Sequence, residues 1–181
     1  MDGRPQLEWK GLNWMTYIRM EDYEINSHTM ALLAKENEDG QVYTEVLELG
    51  DRFDMTKCPS DIVDDSCRYF ASSLEGRLAG TKQVTNYTHK PPIVVSEAMS
   101  IYFFPIISPK RKDCTWIAHK YVLTYVSEPD HTITVHFTNG ESVNLPVSYG
   151  MFANQIQRAA HLQVILQDRF RQADRIAETF S

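Results

Sequence analysis

The stretch HTITVHFTNGESVNLPV, residues 131–147, constrains the fold more than any other part of the chain. Ile133, Val135 and Phe137 alternate with Thr132, Thr134, His136 and Thr138, the period-two pattern of a strand with one buried face. Asn139-Gly140 is a pair favoured in the two-residue type I′ turn, and Val143, Leu145 and Val147 give the return strand its own apolar side. Pro146 lacks an N–H for a further ladder, so that strand belongs at a sheet edge. After Ser148, a helix N-cap, the period changes. Phe152, Ile156, Ala159, Gln163, Leu166, Phe170, Ala173, Ala177 and Phe180 recur by fours and threes, which is one stripe of a long helix. Most of the stripe suits packing on a sheet, and its last turns suit a partner helix.

The rest of the chain supplies more strands. HTMALLAK and QVYTEVLEL read as two strands joined by ENEDG, with Asp39-Gly40 at the turn. Ser60 is placed to cap a short helix over residues 60–72, with Asp61, Asp64 and Asp65 toward its positive end and Ile62, Val63, Cys67 and Phe70 as its apolar face. Gly76 and Gly80 in EGRLAGTKQVT predict tight turns. In HKPPIVV each residue before a proline is expected to be extended. SIYFFPII reads as a buried strand ended by SPKRKDC, an exposed basic loop, and TWIAHKYVLTYV as one long strand apolar on both faces. The expected fold is α+β, a mainly antiparallel sheet with hairpins, a short central helix and a long C-terminal helix. Residues 23–181 are expected to form one domain, preceded by an extension over 1–22.

Charge is unevenly distributed. The 181 residues have a net charge of −6, but residues 1–65 hold 6 Lys/Arg against 15 Asp/Glu, whereas residues 66–125 hold 8 against 3. A cationic middle in an acidic chain is the footprint expected for a polyanion partner. Arg68, Arg77, Lys82, Lys90, Lys110, Arg111 and Lys112 are the candidate contacts, interleaved with Thr81, Thr85, Asn86 and Thr88. Cations neutralise phosphates, and hydroxyls and amides bond to phosphate or base edges. No helix shows a helix-turn-helix pattern, so spacing does not identify the element that faces DNA.

Other chemistry has little support. Cys58, Cys67 and Cys114 are an odd number without metal-ligand spacing, and suit reduced thiols in a cytoplasm. Cys114, following a basic loop, would have a lowered pKa and lies five residues from His119, but no nucleophile signature surrounds the pair. Phosphate-loop, dinucleotide and zinc-hydrolase motifs are missing from the sequence. An enzyme is not expected, nor a metal or cofactor, nor a membrane-spanning segment.

Several ordered blocks, IVDDSCRYFASSLEGRLAGTKQVTNYTHKPPIVV, IYFFPIIS, CTWIAHKYV, FTNGESVNLPVSYGMFANQIQRAAHLQ and LQDRF, resemble the ComK family of competence transcription factors over about Tyr23 to Phe170. The resemblance implies a DNA-binding activator of DNA-uptake genes, located with the nucleoid. Its DNA would be paired double-stranded A/T-rich promoter boxes, each bound largely through the minor groove by a dimer, with two dimers acting together. It implies RNA polymerase as a partner. It also implies capture by the adaptor MecA for the ClpC–ClpP protease. Relatives carry a basic tail with a hydrophobic adaptor motif where this chain ends RQADRIAETFS, so an adaptor is expected to use other surface. Arg77 or Arg111 is the expected groove reader, with Arg68, Lys82, Lys90, Lys110 and Lys112 on phosphates. The helical stripe and the family together place oligomer contacts at Phe152, Ile156, Leu166 and Phe170. The alternative is a ComK-like interaction module or inactive paralogue that does not activate transcription.

Overall fold

The computed structural model describes residues 18–19 and 23–179. Residues 1–17, 20–22 and 180–181, with most of the expected N-terminal extension and Phe180 of the helical stripe, lie outside the described residues. The fold is α+β. Strands β1 (Ile18–Arg19), β2 (Thr29–Glu36), β3 (Val42–Glu48), β4 (Arg52–Met55), β5 (Ile93–Ser96), β6 (Ile101–Pro105) and β7 (Trp116–Ala118) form a seven-stranded sheet in the order β1-β4-β3-β2-β7-β6-β5. Its pairings are antiparallel except β1 with β4. Strands β8 (Val122–Ser127), β9 (Ile133–Phe137) and β10 (Ser142–Leu145) make a second antiparallel sheet, with β10 at an edge.

The large sheet is covered on both faces, so its central strands are apolar on both sides. Leu32, Val46, Phe103 and Trp116 point to one face, where helix α1 (Pro59–Tyr69) contributes Ile62, Val63 and Cys67. Ala31, Leu33, Leu47, Phe104 and Ile117 point to the other. There they meet Ile133, Val135 and Phe137 of the small sheet and Phe152 and Ala159 of helix α3 (Tyr149–Thr179). Helix α2 (Leu74–Thr85) lies beside β5. Its Leu78 packs toward the α1 face, and its Val84 packs with Leu162 and Leu166 of α3. Ser148 caps α3 through a bond from the Met151 N–H.

Five local expectations are corrected. The first helix begins at Pro59, so its N-cap is Cys58 and Ser60 lies inside it; proline suits the first helical position because its missing N–H would be orphaned there. Residues 74–85 are helix rather than turns. Ser73 caps Gly76 N, and Asp64 of α1 accepts the Leu74 N–H at 2.8 Å, so capping and docking outweigh the propensity cost of two glycines. The run 116–127 is broken by a 3-10 turn, His119–Tyr121, which carries the chain from one sheet into the other, and β8 is largely exposed. The turn at Asn139-Gly140 is not type I′. Gly140 N donates to Phe137 O, Phe137 N to Glu141 O, and only Gly140 has a positive φ, a type I turn closed by a glycine bulge. The same bonding recurs at Asn37–Gln41 and at Glu128–Thr132, where His131 (φ 65°) stands in the glycine position. Finally, Lys90 precedes Pro91 yet has φ 47° rather than an extended backbone.

Candidate nucleic-acid interface

The basic loop is anchored to the start of α1. Ser60 Oγ donates to the Pro109 carbonyl at 3.0 Å and accepts from buried Trp116 Nε1 at 3.1 Å. Lys110, Arg111 and Lys112 project from this loop into solvent. Arg111 makes two bonds to the Asp113 carboxylate, at 2.8 and 2.7 Å, which hold that carboxyl below its ordinary pKa. Both side chains are exposed, so the pair contributes little stability and opens readily to a competing anion.

Lys90 continues this end of the molecule. Its Nζ reaches the Ile106 carbonyl at 3.5 Å, where the basic loop begins, and its own carbonyl accepts from Gln155 Nε2 of α3 at 3.0 Å. Gln155 is buried and also bonds the Pro105 carbonyl. These contacts hold the left-handed backbone at Lys90, a conformation that survives only where its surroundings enforce it. Lys82 is exposed in the last turn of α2, close to the same end.

Arg68 and Arg77 belong elsewhere. Arg68 lies in the last turn of α1, about 14 Å along the helix from Pro59, and pairs with Asp64 at 2.8 Å. Between it and the basic loop the helix carries Asp61, Asp64 and Asp65. Arg77 is half-buried. Its Nε is buried without a hydrogen-bond partner, and its charge offsets the rise that burial gives the Glu97 carboxyl. The seven cations therefore do not form one strip: Lys90, Lys110, Arg111 and Lys112 make one group, and Arg68 and Arg77 belong to another, with acidic α1 between Arg68 and the loop and with Lys82 on the same helix as Arg77.

The structure adds a cation that sequence reasoning missed. Arg158 of α3 donates to the His89 carbonyl at 2.8 Å, and its guanidinium lies 4.4 Å from the centre of the Tyr87 ring. Tyr87 Oη and His161 Nδ1 share a 2.7 Å hydrogen bond. Among the described residues Arg158 has no carboxylate partner. One sequence signal was available: residues 76–96 and 142–167 contain no Asp or Glu.

The stripe on α3 is divided. Phe152 is fully buried, with ring centres 5.3 Å from Phe104 and 5.0 Å from Tyr125. Ile156 packs on the same core, and Leu166 packs beside Tyr102 and Val94. Phe170 is half exposed, as are Val164 and Ile176. Cys114 is buried, and burial pushes its thiol up to about 12, opposite to the lowering expected from the neighbouring basic loop. No helix among the described residues is long and apolar enough to cross a membrane.

The family model described as ComK protein matches residues 20–171. The chain belongs to the ComK family. The competence transcription factor of Bacillus subtilis (strain 168) is 41% identical over 150 residues, covering 83% of this chain and 78% of that protein. No solved structure matches. The ComK match contains both cation groups and the Arg158 cluster.

Proposed function

We propose that this protein is a DNA-binding transcriptional activator of natural-competence genes that acts on A/T-rich promoter boxes. The observation that carries the reading is the 41% identity to a competence transcription factor, which covers 83% of this chain. The exposed cations give it a physical basis. Lys82, Lys110 and Lys112 have no carboxylate partner among the described residues and serve as phosphate contacts. A/T tracts have a narrow, strongly negative minor groove that favours an inserted guanidinium. Arg111 fits that role better than Arg77, because its exposed clamp on Asp113 opens to solvent whereas the Arg77 Nε is buried. Minor-groove readout carries little information per base pair, so a dimer on each box, and two dimers together, would supply the missing specificity. The exposed outer part of α3 is the surface for that pairing. RNA polymerase would be the partner in activation.

An electrophoretic mobility shift with a duplex carrying two A/T boxes tests the reading. A retained complex at moderate salt, displaced by A/T-rich but not by G/C-rich competitor, is expected. Absence of a complex even at low salt would remove the reading, and an interaction module that does not bind DNA would replace it.

A further inference from the structure

We infer that one end of the molecule is its DNA face and that Arg158 is the fixed cation at its centre, an inference that rests on the function proposed above. The face begins at the loop bearing Lys110, Arg111 and Lys112. It crosses Lys90 and His89 and reaches Arg158 and His161 on α3, with Lys82 at the adjoining end of α2.

Three observations support this arrangement. The first is continuity. Lys90 touches the start of the basic loop through the Ile106 carbonyl, Gln155 joins Lys90 to α3, and Arg158 holds the His89 carbonyl one residue away. The second is charge. In a chain with 24 acidic residues, the fold brings together two long segments that have none, residues 76–96 and 142–167. The carboxylates near this loop are Asp113, already clamped by Arg111, Asp61 in the first turn of α1, and Glu36 at the end of β2, which lines one cavity with Arg111 and Asp113. A polyanion laid across this end meets more cations than carboxylates, whereas one laid along α1 meets Asp61, Asp64 and Asp65, of which Asp64 is paired with Arg68 and Asp65 with Lys57.

The third observation is the state of Arg158 itself. Its guanidinium is stacked on Tyr87 and bonded to a carbonyl, so it is held in place without being neutralised. An arginine fixed this way keeps its full charge and free donors for a phosphate and loses little rotamer entropy on binding. Asn86, Thr88 and Asn154, all exposed on the same elements, are the amide and hydroxyl groups that accompany phosphate contacts.

Fluorescence anisotropy of a labelled A/T-box duplex, titrated over a salt series, tests the inference with the full-length protein. Arg158→Gln should weaken binding roughly tenfold and reduce the salt slope by about one. Thr88→Glu places a carboxylate beside His89 at an exposed loop position and should weaken binding by a similar factor, with unchanged circular dichroism. Ser27→Glu, in the exposed turn before β2 that meets Tyr121 at the opposite end of that strand from the basic loop, should bind as wild type. Wild-type affinity and salt slope in both Arg158→Gln and Thr88→Glu would overturn the inference and leave the proposed function standing. Failure of the wild-type protein to bind the duplex would remove both. If Arg158→Gln does not fold, Thr88→Glu decides.

Discussion

The Arg158 guanidinium lies over the Tyr87 ring, 4.4 Å from its centre, and joins the end of α2 to the middle of α3. Tyr87→Leu removes both this contact and the hydrogen bond to His161. It should cost about 1–2 kcal/mol in urea unfolding. Tyr87→Phe keeps a ring under the guanidinium and should cost about half as much. Equal costs would mean that the hydroxyl, not the stacking, holds the junction.

The bulged turns predict opposite effects at equivalent positions. His131 (φ 65°) holds a left-handed conformation that a side chain resists, and Gly140 (φ 90°) holds one that glycine adopts freely. His131→Gly should raise stability by about 0.5–1 kcal/mol, and Gly140→Ala should lower it by about 1 kcal/mol. Thermal midpoints of the two variants check the pair.

His119 predicts a pH effect. Burial lowers its pKa below the ordinary 6.5, and hydrogen bonding to the Tyr102 backbone and to Gln163 opposes that shift only in part. Between the folded pKa and 6.5 the unfolded chain binds the proton more readily, so stability rises with pH across that window. This contribution is complete above 6.5 and is lost as the pH falls toward the folded value. Thermal midpoints measured on both sides of the window should show the loss, and His119→Gln should flatten it.

The outer turns of α3 expose Phe170 and Ile176, at 50% and 61% of their full surface. The double variant Phe170→Ser, Ile176→Ser should shift sedimentation toward the protomer while leaving the protomer's free energy of unfolding within about 0.5 kcal/mol of wild type. An unchanged sedimentation coefficient would exclude this part of the helix as the self-contact.

Much of the fold could be read from local pattern. The alternation around Val135 and the stripe through Phe152 and Ala159 each report a single buried face, and period alone reveals it. Misreadings arose where tertiary contacts outweighed local preference. Gly76 and Gly80 argue against helix, but Asp64 reaches across from α1 to Leu74 and the helix docks through Leu78 and Val84. The apolar run from Trp116 hides a break because β7 is buried on both sides whereas β8 is not. The Cys58 cap was legible from Pro59. In the candidate site, the loop cations were plain, since a KRK run beside proline marks exposed surface. Arg158 was hidden in a polar helical stretch, and only the contact with Tyr87, 71 positions earlier, distinguishes it.

The left-handed backbone of Lys90 has a consequence for the order of assembly. A residue before proline seldom visits that conformation in a free chain, and the bond that secures its carbonyl comes from Gln155, 65 positions later. The part of the basic end around His89 and Lys90 is thus organised only after the final helix has docked, whereas the loop bearing Lys110, Arg111 and Lys112 is already held by Ser60 of α1. Amide exchange at residues 86–90 should follow the opening of α3, so the protein completes its grip on a polyanion as the last act of folding.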